Sequence, residues 1–262
     1  MLPILYRDDE LIAIHKPSHL LVHKTDLDFF ETQFALQQLR NQIDQHVFPI
    51  HRLDKATSGT LLFALNPEMA KLMGEAFANR RVDKHYLALV RGWPSNDGII
   101  DYPLSVQQDD MDERCATDRK TPQDAQTQYR SLAQFTLDWR IDKYPTSRYA
   151  LLALNPVTGR RHQLRRHLKH LSHPIVGDST YGKGRHNRAF AEAFEVDRLL
   201  LACTSLGFTH PRTGTTLTIQ CPVAGDFAQI LKGLDALNTL QQNALAWDTP
   251  CITSPRNRSI WV

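Results

Sequence analysis

HRLDKATSG, residues 51–59, places a histidine, an arginine and an aspartate just ahead of a Thr-Ser-Gly sequence. The run that follows, residues 60–65, is apolar and predicts a strand that is buried on both faces. Gly59 allows backbone conformations that other residues resist, and the two hydroxyls before it can bond main-chain amides. We therefore predict a tight turn that leads into a buried strand and holds Asp54 in a fixed position.

The carboxylate of Asp54 has two interpretations. A carboxylate held at the entrance of a strand suits a nucleophile or a general base. Aspartate is also a common turn former, and the turn by itself favours that simpler role. A hydrolase that uses His51 with Asp54 is a weaker hypothesis, because a spacing of three residues within a turn does not ensure that the two side chains meet.

A second segment, NPVTGRRHQLRRHLKHLSHP at residues 155–174, predicts a helix over 161–171. Its leucines form an apolar stripe, which puts Arg165 at the edge of the stripe and Arg166 on the exposed face. An arginine at a buried edge is costly unless it meets an anion. Asp54 is a plausible partner, and this pairing would keep its carboxylate ionised.

The charges of the chain are unevenly distributed, although the net charge is only +3. Residues 143–177, 35 positions, contain no Asp or Glu, whereas residues 101–124 are rich in acids. This asymmetry indicates an electropositive face suited to a polyanion, and a solvated basic helix is the alternative. The cations expected to contact phosphates are Arg160, Arg161, Arg166 and Lys169.

The histidines of the second segment do not predict a metal site. The neighbouring arginines would repel a cation, and the histidine spacing runs around the helix instead of converging. We expect these side chains to be exposed or to face phosphates: His162, His167, His170 and His173. The sequence matches no phosphate-cradling loop or dinucleotide fingerprint, so we expect neither metal nor cofactor.

The four cysteines are scattered and free thiols suit a reducing cytoplasm. The chain shows neither a signal peptide nor an apolar run long enough to span a bilayer, so we expect a cytoplasmic protein. Strands outnumber helices and often follow one another directly, which predicts an α+β fold with a largely antiparallel sheet. Asn66 and Pro67 predict the start of a helix, and a terminal helix is expected over 226–247.

Six segments in chain order resemble the motifs of one family, the RluA-type pseudouridine synthases. HRLDKATSG resembles their HRLD-x-x-T-S-G signature. The other segments are HKPSHLLVH (15–23), KHYLALVRG (84–92), TGRRHQLRRHL (158–168), HPIVGDSTYG (173–182) and LGFTHP (206–211). The resemblance spans about residues 4–223, and so many ordered motifs make it specific.

The resemblance implies a mixed, largely antiparallel sheet with two lobes around a basic RNA-binding cleft. It implies an enzyme that isomerises uridine to pseudouridine in structured RNA without metal or cofactor. Asp54 would be the catalytic aspartate, Arg52 would enter the helical stack when the target base flips out, and Tyr86 would stack on the uracil. Arg165 would pair with Asp54. His51 belongs to the same RNA-contacting motif, but the sequence assigns it no separate task.

The chain departs from the family pattern in two ways. It starts at the catalytic domain without an S4 RNA-binding module, so we expect one catalytic domain over 1–262, with a C-terminal helix and tail at 224–262. Ala202-Cys203 replaces the usual His-Ala. The motif versions resemble most the TruC branch, which modifies uridine 65 of tRNA. A ribosomal RNA substrate and a non-catalytic RNA-binding protein or chaperone are the alternatives, and a monomer is expected.

Overall fold

The computed structural model describes residues 1–23, 31–106 and 121–234. Within these ranges the chain forms ten strands and five helices. In chain order these are β1 (Ile4–Arg7), β2 (Leu11–Lys16), α1 (Ala35–Ile43), β3 (Phe48–Pro49), β4 (Ser58–Ala64), α2 (Pro67–Ala78), β5 (Val82–Arg91), β6 (Asp97–Asp101), β7 (Gln126–Leu137), β8 (Ser147–Pro156), α3 (Gln163–His170), α4 (Gly184–Phe194), β9 (Leu201–Thr209), β10 (Thr216–Gln220) and α5 (Gly225–Gly233). None of these helices is both long and apolar enough to cross a membrane.

The chain divides into two compact units. Of the described residues, the first comprises Met1–Leu87 and Arg198–Gln229, and the second comprises Ala88–Asp197 with residues 230–234. The predicted α+β class and the largely antiparallel sheet are confirmed. The arrangement of two lobes around a basic cleft stays a prediction.

The first unit is built around β4, whose seven residues are all buried. The strand order is β1-β2-β4-β9-β5, with β3 beside β4 and β10 beside β9. β2 pairs antiparallel with β4, whereas β9 runs parallel to it through Ser58 and Gly59. This burial on both faces is what the uninterrupted apolar run predicted.

Helix α2 begins where its local sequence predicts. The side chain of Asn66 accepts a hydrogen bond from the backbone N–H of Met69 at 2.8 Å, and Pro67 occupies the first helical turn. Asn66 thus pairs one of the backbone donors that a helix start leaves unpaired, and Pro67 has no backbone N–H that would need a partner. The buried face of α2, which includes Met69 and Met73, packs into the core of the first unit.

The second unit has the strand order β5-β8-β7-β6. Helix α4 packs against the long β7–β8 pair through a cluster of aromatic rings. Two of the rings belong to α4, Phe190 and Phe194, and the others are Trp139 and Tyr149. Sequence analysis did not predict α4. Helix α4 lacks a side-chain hydrogen bond at its N-cap, so its start carries no local pattern of the kind that marks α2.

Strand β9 is continuous over Leu201–Thr209, because Ser205 pairs with Gln220 inside the β9–β10 ladder. The terminal helix begins at Gly225 as α5, and its expected extension beyond residue 234 lies outside the described residues. The acidic segment at 107–120 lies outside them as well.

Candidate active site

The turn at residues 51–59 has the predicted form. The backbone N–H of Thr57 donates to the carbonyl of Asp54 at 3.0 Å. Gly59 has a φ of +117°, and a Cβ at this position would lie 2.0 Å from the carbonyl oxygen of Cys203. Only glycine tolerates both the conformation and the close approach of the two strands. Asp54 is half-buried while Arg52 is exposed, so the carboxylate is accessible from a fixed backbone.

Two side chains of the upstream segment at residues 15–23 donate hydrogen bonds to backbone carbonyls of this turn. Lys16 is fully buried, and its ammonium group donates to the carbonyl of Lys55 at 3.1 Å and to two carbonyls of its own segment at 2.7 and 2.8 Å. The hydroxyl of Ser18 donates to the carbonyl of Ala56 at 2.7 Å. Burial lowers the pKa of Lys16 to about 7, and the carboxylate of Asp54 opposes that shift. The HKPSHLLVH pattern predicts neither role, because both bonds go to backbone carbonyls of a distant segment.

A third support of the turn comes from Arg198, a buried residue that lies just before β9. Its guanidinium donates to the hydroxyl of Ser58 at 2.8 Å and to the carboxylate of Asp226 at 3.1 Å. Burial lowers the pKa of Arg198, and Asp226 acts in the opposite direction. Arg198 therefore links the end of the turn to the start of α5.

His51 attaches the start of the turn to the buried strand β4. Its Nε2 accepts the backbone N–H of Leu62 at 3.0 Å, and its ring stacks on Phe77 with centroids 4.9 Å apart. Burial lowers the pKa of His51 to about 3, and the charge of Lys84 adds to this shift. The imidazole is therefore neutral at neutral pH, and its accepting nitrogen is already occupied. This geometry disfavours His51 as the general base of a hydrolase.

Tyr86 lies on β5, in the same unit as Asp54. Burial raises the pKa of its phenol well above the usual value, and the neighbouring Cys203 and the charge of Asp54 act in the same direction. Tyr86 is therefore a neutral phenol that feels the charge of Asp54. Burial likewise raises the pKa of the Cys203 thiol to about 12, so the thiol is protonated. The Cys203 side chain of the Ala202-Cys203 departure thus gives Tyr86 a hydrogen-bonding partner. The close approach to Gly59 involves only the backbone of Cys203.

Arg165 is buried on α3, as the helical stripe predicted, and it has an anionic partner that sequence analysis missed. Its Nε donates to Asp178 at 2.7 Å and its Nη2 donates to the other carboxylate oxygen at 2.9 Å. Burial would raise the pKa of Asp178, but the bonds from Arg165 and from two backbone amides hold that pKa below its usual value. The pairing of Arg165 with Asp54 stays a prediction. Asp178 is the first acid after the acid-free stretch, which was the sequence feature that could have identified it.

Two other cations of this segment bond to neutral groups. Arg160 donates to the carbonyl of Asp124 at 3.2 Å, and Arg166 donates to the carbonyl and the hydroxyl of Ser105, both at 2.9 Å. Lys169 is exposed, and Arg161 is partly exposed. Bonds of Arg160 and Arg166 to uncharged acceptors orient the guanidinium groups without neutralising them. These side chains therefore keep the positive charge that phosphate contacts require.

The expectation that all four histidines of the segment are exposed or face phosphates is wrong for His167. Its Nε2 donates to the carbonyl of Tyr102 at 3.0 Å, its Nδ1 lies 2.9 Å from the hydroxyl of Thr127, and the residue is fully buried. His167 follows the buried Leu164 by three residues, so helical geometry places both on the inward face of α3. Within the described ranges, no three His, Cys, Asp or Glu side chains are grouped so that they could hold a metal ion.

The sequence matches a family model described as RNA pseudouridylate synthase over residues 10–170. A protein of Haemophilus ducreyi named tRNA pseudouridine synthase C is 55% identical over 219 residues, which cover 84% of this chain and 90% of that protein. A protein of the same name from Vibrio vulnificus is 46% identical over 240 residues, which cover 92% of this chain and 98% of that protein. A third, from Pasteurella multocida, is 50% identical, with coverage of 89% and 96%.

Solved structures show the same likeness. The human RNA pseudouridylate synthase domain containing 1 superposes with a TM-score of 0.64 at 25% identity, covering 90% of this chain and 95% of the human chain. The human domain containing 4 superposes with a TM-score of 0.64 at 26% identity, with coverage of 89% and 93%.

Proposed function

Because the chain belongs to the RNA pseudouridylate synthase family, we propose that it converts uridine 65 of tRNA to pseudouridine, with Asp54 as its catalytic carboxylate. The observation that carries this proposal is the construction of the turn around Asp54. Gly59 fixes the end of the turn against β9, and Lys16 donates a hydrogen bond to the carbonyl of Lys55 within the turn. Tyr86 is a neutral phenol that interacts electrostatically with the carboxylate of Asp54. The names of the similar proteins support tRNA as the substrate.

The reaction breaks the N1–C1′ bond of uridine and joins the same base through C5, so substrate and product have the same atoms. Asp54 can attack C1′, add to C6 of the uracil, or remove a proton from the ribose, and these three routes remain open. Tyr86, as a neutral phenol, can donate a proton and offer a ring against the uracil. These roles require a fixed carboxylate, which the turn provides.

Access to the target base requires base flipping, because a stacked A-form stem hides the reacting atoms. Arg52 is exposed next to Asp54, and we assign it to fill the gap in the stack. Flipping costs a few kcal/mol of stacking, and an inserted side chain recovers part of that cost. His51 has contacts within the protein that explain its presence, and an additional contact with RNA is a separate expectation.

In this proposal, the cations of the second unit bind the RNA backbone. Arg160, Arg161, Arg166 and Lys169 would bind phosphates, and Arg165 would pair with Asp54 in addition to Asp178. Residues 1–262 would act as one catalytic domain, as a monomer, in the cytoplasm where tRNA is modified.

The test is the release of tritium from tRNA that carries [5-³H]uridine, with the unsubstituted protein compared with Asp54→Asn. We expect release by the unsubstituted protein and none above background by the variant, while both bind tRNA equally. Release by the variant at the full rate would refute the role of Asp54. Pseudouridine mapping in RNA from a deletion strain tests the position: loss at uridine 65 of tRNA is expected, and loss only in ribosomal RNA would refute tRNA as the substrate.

A further inference from the structure

An exposed pair of stacked rings lies beside α3. Tyr102 directly follows β6 and is 42% exposed, and its ring lies 3.7 Å from the ring of His170, with 18° between the planes. His170, near the end of α3, is exposed as well. The backbone of Tyr102 is held in place, because its carbonyl accepts the bond from buried His167 at 3.0 Å and its N–H donates to Ala125 at 3.1 Å. The pair is therefore a planar surface on a rigid support.

Cations adjoin this pair on the same helix. Arg166 precedes His170 by four residues, so the two side chains share one face of α3. The guanidinium of Arg166 is oriented by Ser105, and Lys169 is exposed with its ammonium group 5.7 Å from the ring of Tyr181.

The charge on this face is not cancelled from within the helix. The single buried cation of α3, Arg165, is the one that Asp178 neutralises. Arg166, in contrast, bonds to the carbonyl and hydroxyl oxygens of Ser105, which carry no charge. The exposed side of α3 therefore has the positive charge of Arg166 and Lys169 next to the flat aromatic surface of the Tyr102–His170 pair.

We propose that Tyr102, Arg166, Lys169 and His170 form a stacking site for an unpaired or helix-terminal nucleobase of the RNA substrate. The base lies against the Tyr102–His170 pair, and Arg166 and Lys169 bind the phosphates on either side of it. Stacking on aromatic rings together with phosphate contacts is how proteins bind unpaired nucleotides, and the acid-free sequence around α3 makes the face complementary to a polyanion. This site deepens the proposed function, because it rests on RNA as the ligand.

Binding is measured in the Asp54→Asn background, so that the RNA is not converted during the measurement. The probe is a tRNA transcript, and its affinity is determined by filter binding over a series of salt concentrations. Tyr102→Ala should weaken binding about tenfold at every salt concentration, because stacking does not release counterions. Lys169→Ala should instead lower the slope of affinity against salt by about one phosphate contact.

Two control variants test whether the aromatic ring of Tyr102 and its position beside α3 account for the effect. Tyr102→Phe keeps the ring and should bind like the parent. Tyr144→Ala removes a more exposed tyrosine, 61% exposed and also close to a lysine, from a loop that is not part of this face, and it should bind like the parent. In the protein with Asp54 intact, Tyr102→Ala should raise KM and leave the single-turnover rate at saturating enzyme unchanged.

The stacking site is refuted if Tyr102→Ala binds within about twofold of the parent while only its melting temperature falls. It is also refuted by equal losses in Tyr102→Ala and Tyr144→Ala, or by a loss in Tyr102→Phe that matches the alanine variant. Failure of the proposed function is a different result, namely no pseudouridine formed by the unsubstituted protein, and the binding series does not depend on turnover.

Discussion

The half-buried, neutral imidazole of His51 predicts a specific dependence of stability on pH. The pKa of this imidazole is about 3 in the folded protein, against an ordinary value of 6.5. Between these values the unfolded chain binds a proton that the folded protein does not, so the free energy of unfolding falls as the pH falls from 6.5 toward 3. At about pH 4.5 this group alone removes about 2–3 kcal/mol relative to pH 7, at 1.36 kcal/mol per unit of pKa difference.

His51→Gln isolates that contribution. The glutamine oxygen can accept the N–H of Leu62, but glutamine does not titrate. Urea unfolding of the two proteins, followed by far-UV circular dichroism, gives the free energy of unfolding at about pH 7, 5.5 and 4.5. Circular dichroism is needed because the described tryptophans, Trp93 and Trp139, both lie in the second unit.

The variant should lose about 2–3 kcal/mol less than the unsubstituted protein between pH 7 and pH 4.5. All other titrating groups are common to both proteins, and a constant difference from the lost stacking on Phe77 does not change the slope. Parallel pH profiles would show that the folded protein accepts the proton on His51, and the reasoning from burial would be refuted.

Two further substitutions test the supports of the two units. Gly59→Ala should lower the free energy of unfolding by at least about 3 kcal/mol and abolish pseudouridine formation, because its Cβ would lie 2.0 Å from the carbonyl of Cys203 at a φ of +117°; soluble, active protein would contradict this. Asp178→Asn should destabilise the second unit by about 3–5 kcal/mol, measured by tryptophan fluorescence in urea, because it removes the carboxylate that binds the buried guanidinium of Arg165 through two hydrogen bonds. The double change Arg165→Met with Asp178→Leu should recover most of that loss in stability, and no recovery would show that the ion pair is not the cause.

The parts of the fold that sequence predicted well are those with a local physical cause. The turn at 51–59 needed a glycine for its positive φ, and the start of α2 needed the cap of Asn66 and the fixed φ of Pro67. The burial of β4 followed from an unbroken apolar run. Each of these features has a cause in residues close together in the chain, so a short window of sequence predicts it. The contacts from Lys16, Ser18 and Arg198 that also hold the turn are distant in sequence.

The features that sequence missed depend on contacts between distant segments. Helix α4 is stabilised by a cluster of aromatic rings whose other members come from β8 and the β7–β8 connection. The sequence of α4 alone therefore does not predict a helix there. His167 is buried because Thr127 and the carbonyl of Tyr102 offer it hydrogen bonds inside the second unit. Asp178, which neutralises Arg165, follows it by 13 residues across the end of a helix and a turn. The spacing along the chain does not determine which anion a buried cation meets.

Lys16 shows why the two motifs at 15–23 and 51–59 belong to one structural unit. The ammonium group binds the carbonyl of Lys55, one residue after Asp54, while it also binds the carbonyls of its own segment. A backbone carbonyl accepts this bond whatever side chain it carries, so no residue pattern in either segment reveals the contact. The position of Asp54 therefore depends on a lysine nearly forty residues upstream. Any change that moves residues 17–20 should displace the turn at 51–59 before it disturbs the buried strand β4, whose position is fixed by its ladders with β2 and β9.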